Sequence, residues 1–205
     1  MAKLKGPLFS LGASGQLGKA LVLFPWKGLD CVREYVVPSN PKTAPQNTQR
    51  GYLTAAVALI HVTQAAAADP LDAEDISAYA LLGSNQATPR TWFNTLCKQW
   101  IDQKVAAKLP CIWRNGHATP GSLKLTFKIA ARSVESGAPT AGFIRYGTSK
   151  TALNNSLAAT IAEIQAGKDI TGLTAGTKYY CQYRPDTPAT FVGADSGIYT
   201  GVPTA

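Results

Sequence analysis

Residues 170–184 of the chain read ITGLTAGTKYYCQYR, and this stretch decides the fold of the C-terminal half. Leu173 precedes a turn at Gly176, and Tyr179 then opens a segment in which apolar and polar residues alternate. This order is typical of a tyrosine corner, in which a tyrosine at the start of a strand bonds its hydroxyl to the backbone a few residues upstream. The stretch therefore predicts an antiparallel β-sandwich.

The same period of two recurs on both sides of that stretch. Over residues 122–131, apolar residues alternate with polar ones, which predicts a strand with one buried face. Its apolar members are Leu123, Leu125, Phe127 and Ile129. Residues 143–146 and 196–200 repeat the pattern and predict two further strands.

The N-terminal half has a different pattern. Residues 21–24 and 29–37 predict a β-hairpin, which ends at the prolines of residues 38–41 because proline cannot donate to a sheet ladder. Helical spacing then predicts three helices: one over residues 45–68, one capped by Asp69 and one capped by Thr88. Apolar faces are predicted on the first and third of them, at Leu53, Val57 and Ile60 and at Phe93, Leu96, Cys97, Trp100, Ile101 and Val105.

These patterns predict an α+β chain of two domains. Residues 1–109 form a hairpin-plus-helices domain for docking or assembly, and residues 110–205 form the sandwich. We place the boundary where the helical spacing gives way to the period of two, near Pro110.

Composition narrows the classes of function. The 205 residues are 45% hydrophobic and 16% charged, which is typical of a folded, soluble protein. The formal charge of +8 is diffuse, which disfavours nucleic acid as a partner. Neither a signal peptide nor a membrane-spanning run is evident, and four scattered cysteines with two isolated histidines predict reduced thiols and no metal site. We expect no cofactor.

Two segments resemble a short-chain dehydrogenase. Residues 12–18, GASGQLG, resemble the glycine-rich cofactor turn of that family, and Tyr146 with Lys150 resembles its catalytic Y-x-x-x-K pair. Ser133 stands where the family keeps a catalytic serine. The resemblance implies a nicotinamide-dependent oxidoreductase. However, a dinucleotide turn must join a buried strand to a helix, and Pro25 interrupts the segment that would form this helix.

A second resemblance covers residues 110–205, which are similar to a fibronectin type III domain. The motif that carries it consists of the predicted strands, a Gly-Thr-Ser turn after Tyr146 and the tyrosine corner at Leu173, Gly176 and Tyr179. This resemblance implies an antiparallel β-sandwich and makes Tyr146 a strand end without chemistry.

A third resemblance covers roughly residues 1–60. This segment resembles the opening of a group of bacteriophage structural proteins. The motif consists of Trp26-Lys27-Gly28, a strand through Tyr35, the corner Pro38-Ser39-Asn40-Pro41-Lys42-Thr43 and the pair Gln46 and Arg50. Asn40-Pro41 fixes a turn, and Thr43 can cap the helix that follows. The resemblance implies a non-enzymatic virion protein whose partners are other virion proteins and copies of itself.

We therefore expect a non-enzymatic structural component of a phage particle, such as a capsid decoration or a head or tail accessory protein. Six residues are the candidates for assembly contacts: Trp26, Tyr35, Pro38, Asn40, Pro41 and Thr43. Two alternatives stay open, the short-chain oxidoreductase and a carbohydrate-binding adhesin that uses a surface tryptophan to hold a glycan.

Overall fold

The computed structural model describes residues 3–4, 13–27 and 29–205, and these form a mixed α+β structure with four helices and three antiparallel sheets. The predicted α+β class is confirmed. Contacts divide the chain into two compact units, residues 1–43 and residues 44–205. The first unit contains one sheet, and the second contains the helices and the other two sheets.

The first unit is a meander of four strands that pair in chain order. These strands are β1 (Lys3–Leu4), β2 (Ala13–Leu17), β3 (Leu21–Trp26) and β4 (Leu29–Glu34). The sequence predicts the β3–β4 hairpin but extends its second strand to residue 37, whereas β4 ends at Glu34. The alternation of apolar and polar residues does not mark strand β2, which contains Gly15, because glycine is uncommon inside strands.

Three long helices open the second unit, and a short fourth lies among its strands. They are α1 (Ala44–Gln64), α2 (Ala73–Ser84), α3 (Trp92–Val105) and α4 (Ile161–Ala166). The sequence predicts Asp69 and Thr88 as the caps of α2 and α3, and this is wrong: Asp72 and Thr91 are the caps. Asp72 forms a reciprocal capping box with Asp75, so the helix begins directly after Asp72 rather than at the earlier proline.

The helices bury narrower faces than their spacing predicts. Leu53 on α1 and Val105 on α3 are exposed. The apolar residues that do pack together are Ala56, Ile60, Leu71, Tyr79, Leu96, Cys97, Trp100 and Ile112. Ile112 belongs to a strand, so the helices share this cluster with a sheet.

Seven strands make the other two sheets. They are β5 (Cys111–Gly121), β6 (Lys124–Val134), β7 (Ala141–Gly147), β8 (Asn155–Thr160), β9 (Lys168–Thr171), β10 (Tyr179–Thr187) and β11 (Tyr199–Gly201). They pair in the orders β5-β6-β9 and β11-β10-β7-β8. The last predicted strand, at residues 196–200, is shorter and ends one residue later, at Tyr199–Gly201.

The two C-terminal sheets share one core. Leu125, Phe127 and Ile129 on β6 are fully buried, as their alternation predicts, whereas Leu123 precedes the strand with a φ of 52° and is half exposed. Rings from opposite sheets meet edge to face across this core. The centroids are 5.0 Å apart for Trp113 and Tyr183 and 5.6 Å apart for Phe127 and Tyr199.

The change from helices to strands falls at the predicted boundary, between Val105 and Cys111. Contacts nevertheless keep α1, α2 and α3 in one unit with both C-terminal sheets. The contact-defined division lies instead between Thr43 and Ala44.

Candidate assembly surface

The N-terminal sheet is apolar on both faces. The pairs Leu23–Val32 and Phe24–Cys31 across β3 and β4 place Leu21, Leu23 and Val32 on one face. Val22, Phe24, Trp26, Cys31 and Leu29 lie on the other face. A strand with apolar residues at successive positions is typical of sheets that are covered on both sides.

This sheet is nevertheless largely uncovered. Between residues 14 and 43, Leu23 is the one buried residue among those whose burial the structure describes. Trp26 is 60% exposed, Leu29 is 68% exposed and Val32 is 47% exposed. Apolar surface on this scale, concentrated in one small sheet, is typical of a site that another macromolecule covers.

The outer edge of β4 is oriented for pairing. The N–H of Tyr35 donates to the carbonyl of Ala20 at 2.8 Å, so the odd-numbered residues of β4 are the ones that bond to β3. The backbone groups of residues 30, 32 and 34 therefore point away from β3. Within the part of the chain that the structure describes, β4 pairs with β3 alone. Such an edge can accept a strand from a partner.

The N-terminal unit is itself basic, although its cations form no continuous run. Its 43 residues hold half of the formal charge of the chain, since they include six basic and two acidic residues. The basic ones are Lys3, Lys5, Lys19, Lys27, Arg33 and Lys42. The guanidinium of Arg33 lies 5.4 Å from the ring centre of Phe24, which places a cation directly beside the apolar face.

The six predicted contact residues fall in or just after this sheet. Trp26 ends β3, and Tyr35 follows β4 and is half-buried. The other four, Pro38, Asn40, Pro41 and Thr43, are exposed and lie in the connection that leads to α1. Thr43 directly precedes the first helical residue, which is the N-cap position that the sequence predicts for it.

Comparisons with protein-family models, with curated proteins and with solved structures found no match to this chain. The helices described here are all too short or too polar to cross a membrane. Across the described residues, no group of three histidine, cysteine or acidic side chains comes together as a metal site would require. All four cysteines are free thiols, and Cys97, Cys111 and Cys181 are buried.

The residues that resemble a dehydrogenase lie on different elements of the fold. Gly12 lies outside the described residues, and residues 13–17 form strand β2, which leads into another strand rather than a helix. Tyr146 lies on β7 and packs against the core, while Ser133 on β6 accepts a hydrogen bond from Thr63. Lys150 donates to the Ser84 hydroxyl. Within the described part of the chain, Ser133, Tyr146 and Lys150 share no hydrogen bond.

The tyrosine that opens β10 bonds backward along the chain. The hydroxyl of Tyr179 accepts the N–H of Thr174 at 3.2 Å, and the turn between them holds Gly176 at a φ of 73°. Leu173 and Tyr179 are both buried. This geometry ties the connection between β9 and β10 to the start of β10.

The largest feature that sequence reasoning missed is a buried carboxylate, Asp75 on α2. Its oxygens accept the N–H groups of Asn115 at 2.6 Å and Gly116 at 3.0 Å, and the hydroxyl of Tyr199 at 2.6 Å. Burial raises the pKa of Asp75 above its ordinary value, against the opposing effect of these hydrogen bonds. Nothing in the sequence near Asp75 signals these partners, because they lie on strands that are distant along the chain.

The side chains of Asp75 and Tyr79 on α2 form hydrogen bonds with backbone groups at the free edge of β5, where a neighbouring strand would otherwise pair. One turn along the helix, the Tyr79 hydroxyl accepts the N–H of Trp113 at 2.9 Å and lies 3.1 Å from the carbonyl of the same residue, to which it donates. Edge groups of β5 that would otherwise be open are thus bonded by side chains. This edge is closed to strand addition at residues 113–116.

Proposed function

We propose that this chain is a non-enzymatic structural component of a phage particle that acts through protein–protein contacts of its N-terminal sheet. The observation that carries the proposal is the exposure of apolar residues on both faces of that sheet, with Leu23 alone buried among residues 14–43 whose burial is described. Interfaces that persist bury such residues, with aromatic ones at their centre.

The phage assignment rests on the resemblance over residues 1–60. Its distinguishing part, the corner Pro38-Ser39-Asn40-Pro41-Lys42-Thr43, joins the exposed sheet to α1. A capsid decoration or a head or tail accessory protein fits this proposal, and the chain would be found in the virion. The proposed partners are other virion proteins and further copies of the chain.

The C-terminal sheets are proposed to be a fibronectin type III-like sandwich. Seven strands divided as three and four, with a backward-bonded tyrosine opening the sixth, support this reading. In that role the C-terminal sheets would be displayed from the particle while the N-terminal sheet anchors them.

The charge of the N-terminal unit favours a different protein over a second copy as the partner of this sheet. Two cationic sheets would repel each other, whereas an acidic rim around an apolar patch would complement Arg33 and Lys27. The apolar faces in turn favour a protein over nucleic acid, because phosphate contacts are made by polar and basic groups rather than by leucine or valine.

Particle incorporation tests the proposal. The host produces particles with one of three forms of the chain: the wild type, the double variant Trp26→Ser and Leu29→Ser, or the single variant Val105→Ser. The amount of the chain in purified particles is then measured by mass spectrometry. We expect the double variant to be incorporated at least about tenfold less, since each interface anchor contributes about 2 kcal/mol or more. Val105, exposed on α3, is the matched control and should leave incorporation unchanged.

Two results would contradict the proposal. If purified particles contain none of the wild-type chain, the assignment to the virion is wrong. If the double variant is incorporated as fully as the wild type, the N-terminal sheet is not the assembly surface.

A further inference from the structure

A pocket of about 410 Å³ lies on the outer face of the β11-β10-β7-β8 sheet. Its walls come from the C-terminal end of α2, the connection between β7 and β8, and strand β10. Cys181 and Tyr183 of β10 point into the core, so the alternate residues Gln182 and Arg184 face this pocket. The volume lies in the range of small-molecule sites.

The lining carries two cations and no acidic residue. Arg184 is held by a hydrogen bond from its Nε to Gln182 Oε1 at 2.9 Å, and Lys150 by one from its Nζ to Ser84 Oγ at 3.1 Å. The carboxylate of Asp195 lies 3.4 Å from Arg184 Nε and offsets part of its charge, but Asp195 belongs to the wall of a neighbouring pocket. The net positive lining favours an anionic ligand.

One lining group lacks a partner. Asn85 donates from Nδ2 to the carbonyl of Lys150, which fixes the orientation of its amide, and its Oδ1 is buried without a hydrogen bond. A buried acceptor left unpaired costs about 1–3 kcal/mol. A ligand donor would remove this cost only after a small movement of the lining that exposes Asn85 Oδ1.

The other side chains that line the pocket favour some classes of ligand over others. Gln86, Asn154 and Thr151 add two carboxamides and a hydroxyl, which both donate to and accept from the hydroxyl groups of a sugar. Aromatic side chains are missing from the lining, so a nucleobase would find no ring to stack on. The absence of acidic residues from the lining disfavours an amine or a metal ion.

We propose that this pocket binds an acidic sugar, free or at the end of a glycan. Its carboxylate meets Arg184 and Lys150, and its hydroxyl groups bond to the polar side chains of Gln86, Asn154 and Thr151. Lys150, which the sequence associates with a dehydrogenase, thus has a binding role. The site goes beyond the proposed assembly function and does not depend on it.

The test uses the full chain and three acidic sugars, glucuronate, galacturonate and N-acetylneuraminate, measured by calorimetry and by amide shifts in NMR spectra. Glucose and inorganic phosphate are the comparison ligands. We expect saturable binding of at least one acidic sugar, with shifts at Asn85, and at least tenfold weaker binding of glucose and of phosphate. Failure of all three sugars overturns the proposal. If glucose binds as tightly as the acidic sugars, the pocket does not require an anion. If phosphate binds as tightly, the pocket does not require a sugar. Either result overturns the proposal.

Paired variants locate the site. Arg184→Gln should weaken binding of the acidic sugar at least tenfold, and its half-exposed side chain makes the change compatible with folding. Arg145→Gln is the matched control, because Arg145 is a cation of β7 outside the pocket, with its guanidinium 5.9 Å from the ring centre of Phe143. Equal losses in both variants would indicate diffuse charge rather than this pocket, and would overturn the proposal. Thermal midpoints verify that both variants are folded.

Discussion

At the scale of single residues, Asp75 contributes most to joining the helices to the sheets. Asn in its place would keep one acceptor oxygen and turn an amide group toward N–H donors. We therefore expect Asp75→Asn to lower the free energy of unfolding by about 2–4 kcal/mol, measured by urea denaturation. Glu74→Gln, an exposed change in the same helical turn, should stay within about 0.5 kcal/mol. A loss below about 1 kcal/mol for Asp75→Asn would show that the network contributes little.

The pH dependence of the free energy of unfolding, compared between wild type and Asp75→Asn, tests whether burial or hydrogen bonding has the larger effect on the pKa of Asp75. Burial raises its folded pKa above the ordinary value of 3.8, so the folded state holds a proton that the unfolded state has already released. The contribution of Asp75 to stability is then full below pH 3.8 and is lost as the pH rises through the folded pKa. The stability gap between wild type and Asp75→Asn should therefore narrow as the pH rises from about 4 through the folded pKa of Asp75. A gap that widens would mean that the hydrogen bonds outweigh burial.

Tyr179 is a second residue whose hydroxyl can be tested alone. Tyr179→Phe removes the acceptor of the Thr174 N–H and leaves the buried ring in place. We expect a loss of about 0.5–1.5 kcal/mol in the free energy of unfolding. Tyr180→Phe, on the opposite face of β10, is the control and should change stability by less than about 0.5 kcal/mol. Equal effects of the two changes would deny the backward bond a stabilising role.

At the scale of elements, helix α2 lies in close contact with the segment that enters β11. A Cβ on Gly197 would lie 2.7 Å from the Cβ of Ala78 and 2.8 Å from its carbonyl carbon. The same contact includes a hydrogen bond from Ile198 N–H to the carbonyl of Ala78 at 3.0 Å. Gly197→Ala should therefore push the helix away and cost about 1–3 kcal/mol in thermal or urea unfolding.

Gly51 is the matched glycine. It lies inside α1, and a Cβ added there would meet no atom within 4 Å. Gly51→Ala should therefore raise the free energy of unfolding by about 0.5–1 kcal/mol through helix propensity alone. Destabilisation by both changes would contradict the contrast between a packed and an open site.

At the scale of the whole molecule, the buried residues are distributed unequally between the two units. Apart from Leu23, every buried apolar residue that the structure describes lies in residues 44–205. A chain that begins at Ala44 should therefore unfold cooperatively in calorimetry, with a midpoint within about 4 °C of the full chain, a shift that corresponds to about 1 kcal/mol or less. A fall of more than about 10 °C would show that the N-terminal unit stabilises the rest.

The sequence predicted elements better than it predicted their ends. Strand β6 followed from its alternation, because one face of an antiparallel sheet is buried and the other is wet. The caps of α2 and α3 were each placed three residues early, because a proline that can occupy the first helical position precedes each true cap. The true caps are a capping box at Asp72 and a single hydrogen bond from the N–H of Asn94 to the side chain of Thr91. At the candidate assembly surface, the sequence indicated Trp26 and the corner of residues 38–43, but it did not indicate the two apolar faces of the N-terminal sheet.

Local spacing was sufficient to predict the α+β class, a strand near Tyr179 and the change from helices to strands near Pro110. Tertiary structure alone decided that Asp75 would accept hydrogen bonds from Asn115, Gly116 and Tyr199, which are 40 to 124 residues away. It also decided that, among the described residues of the N-terminal unit, the apolar strands form a single sheet with no second layer. Periodicity records which residues favour burial, whereas only the fold determines whether another part of the chain covers them.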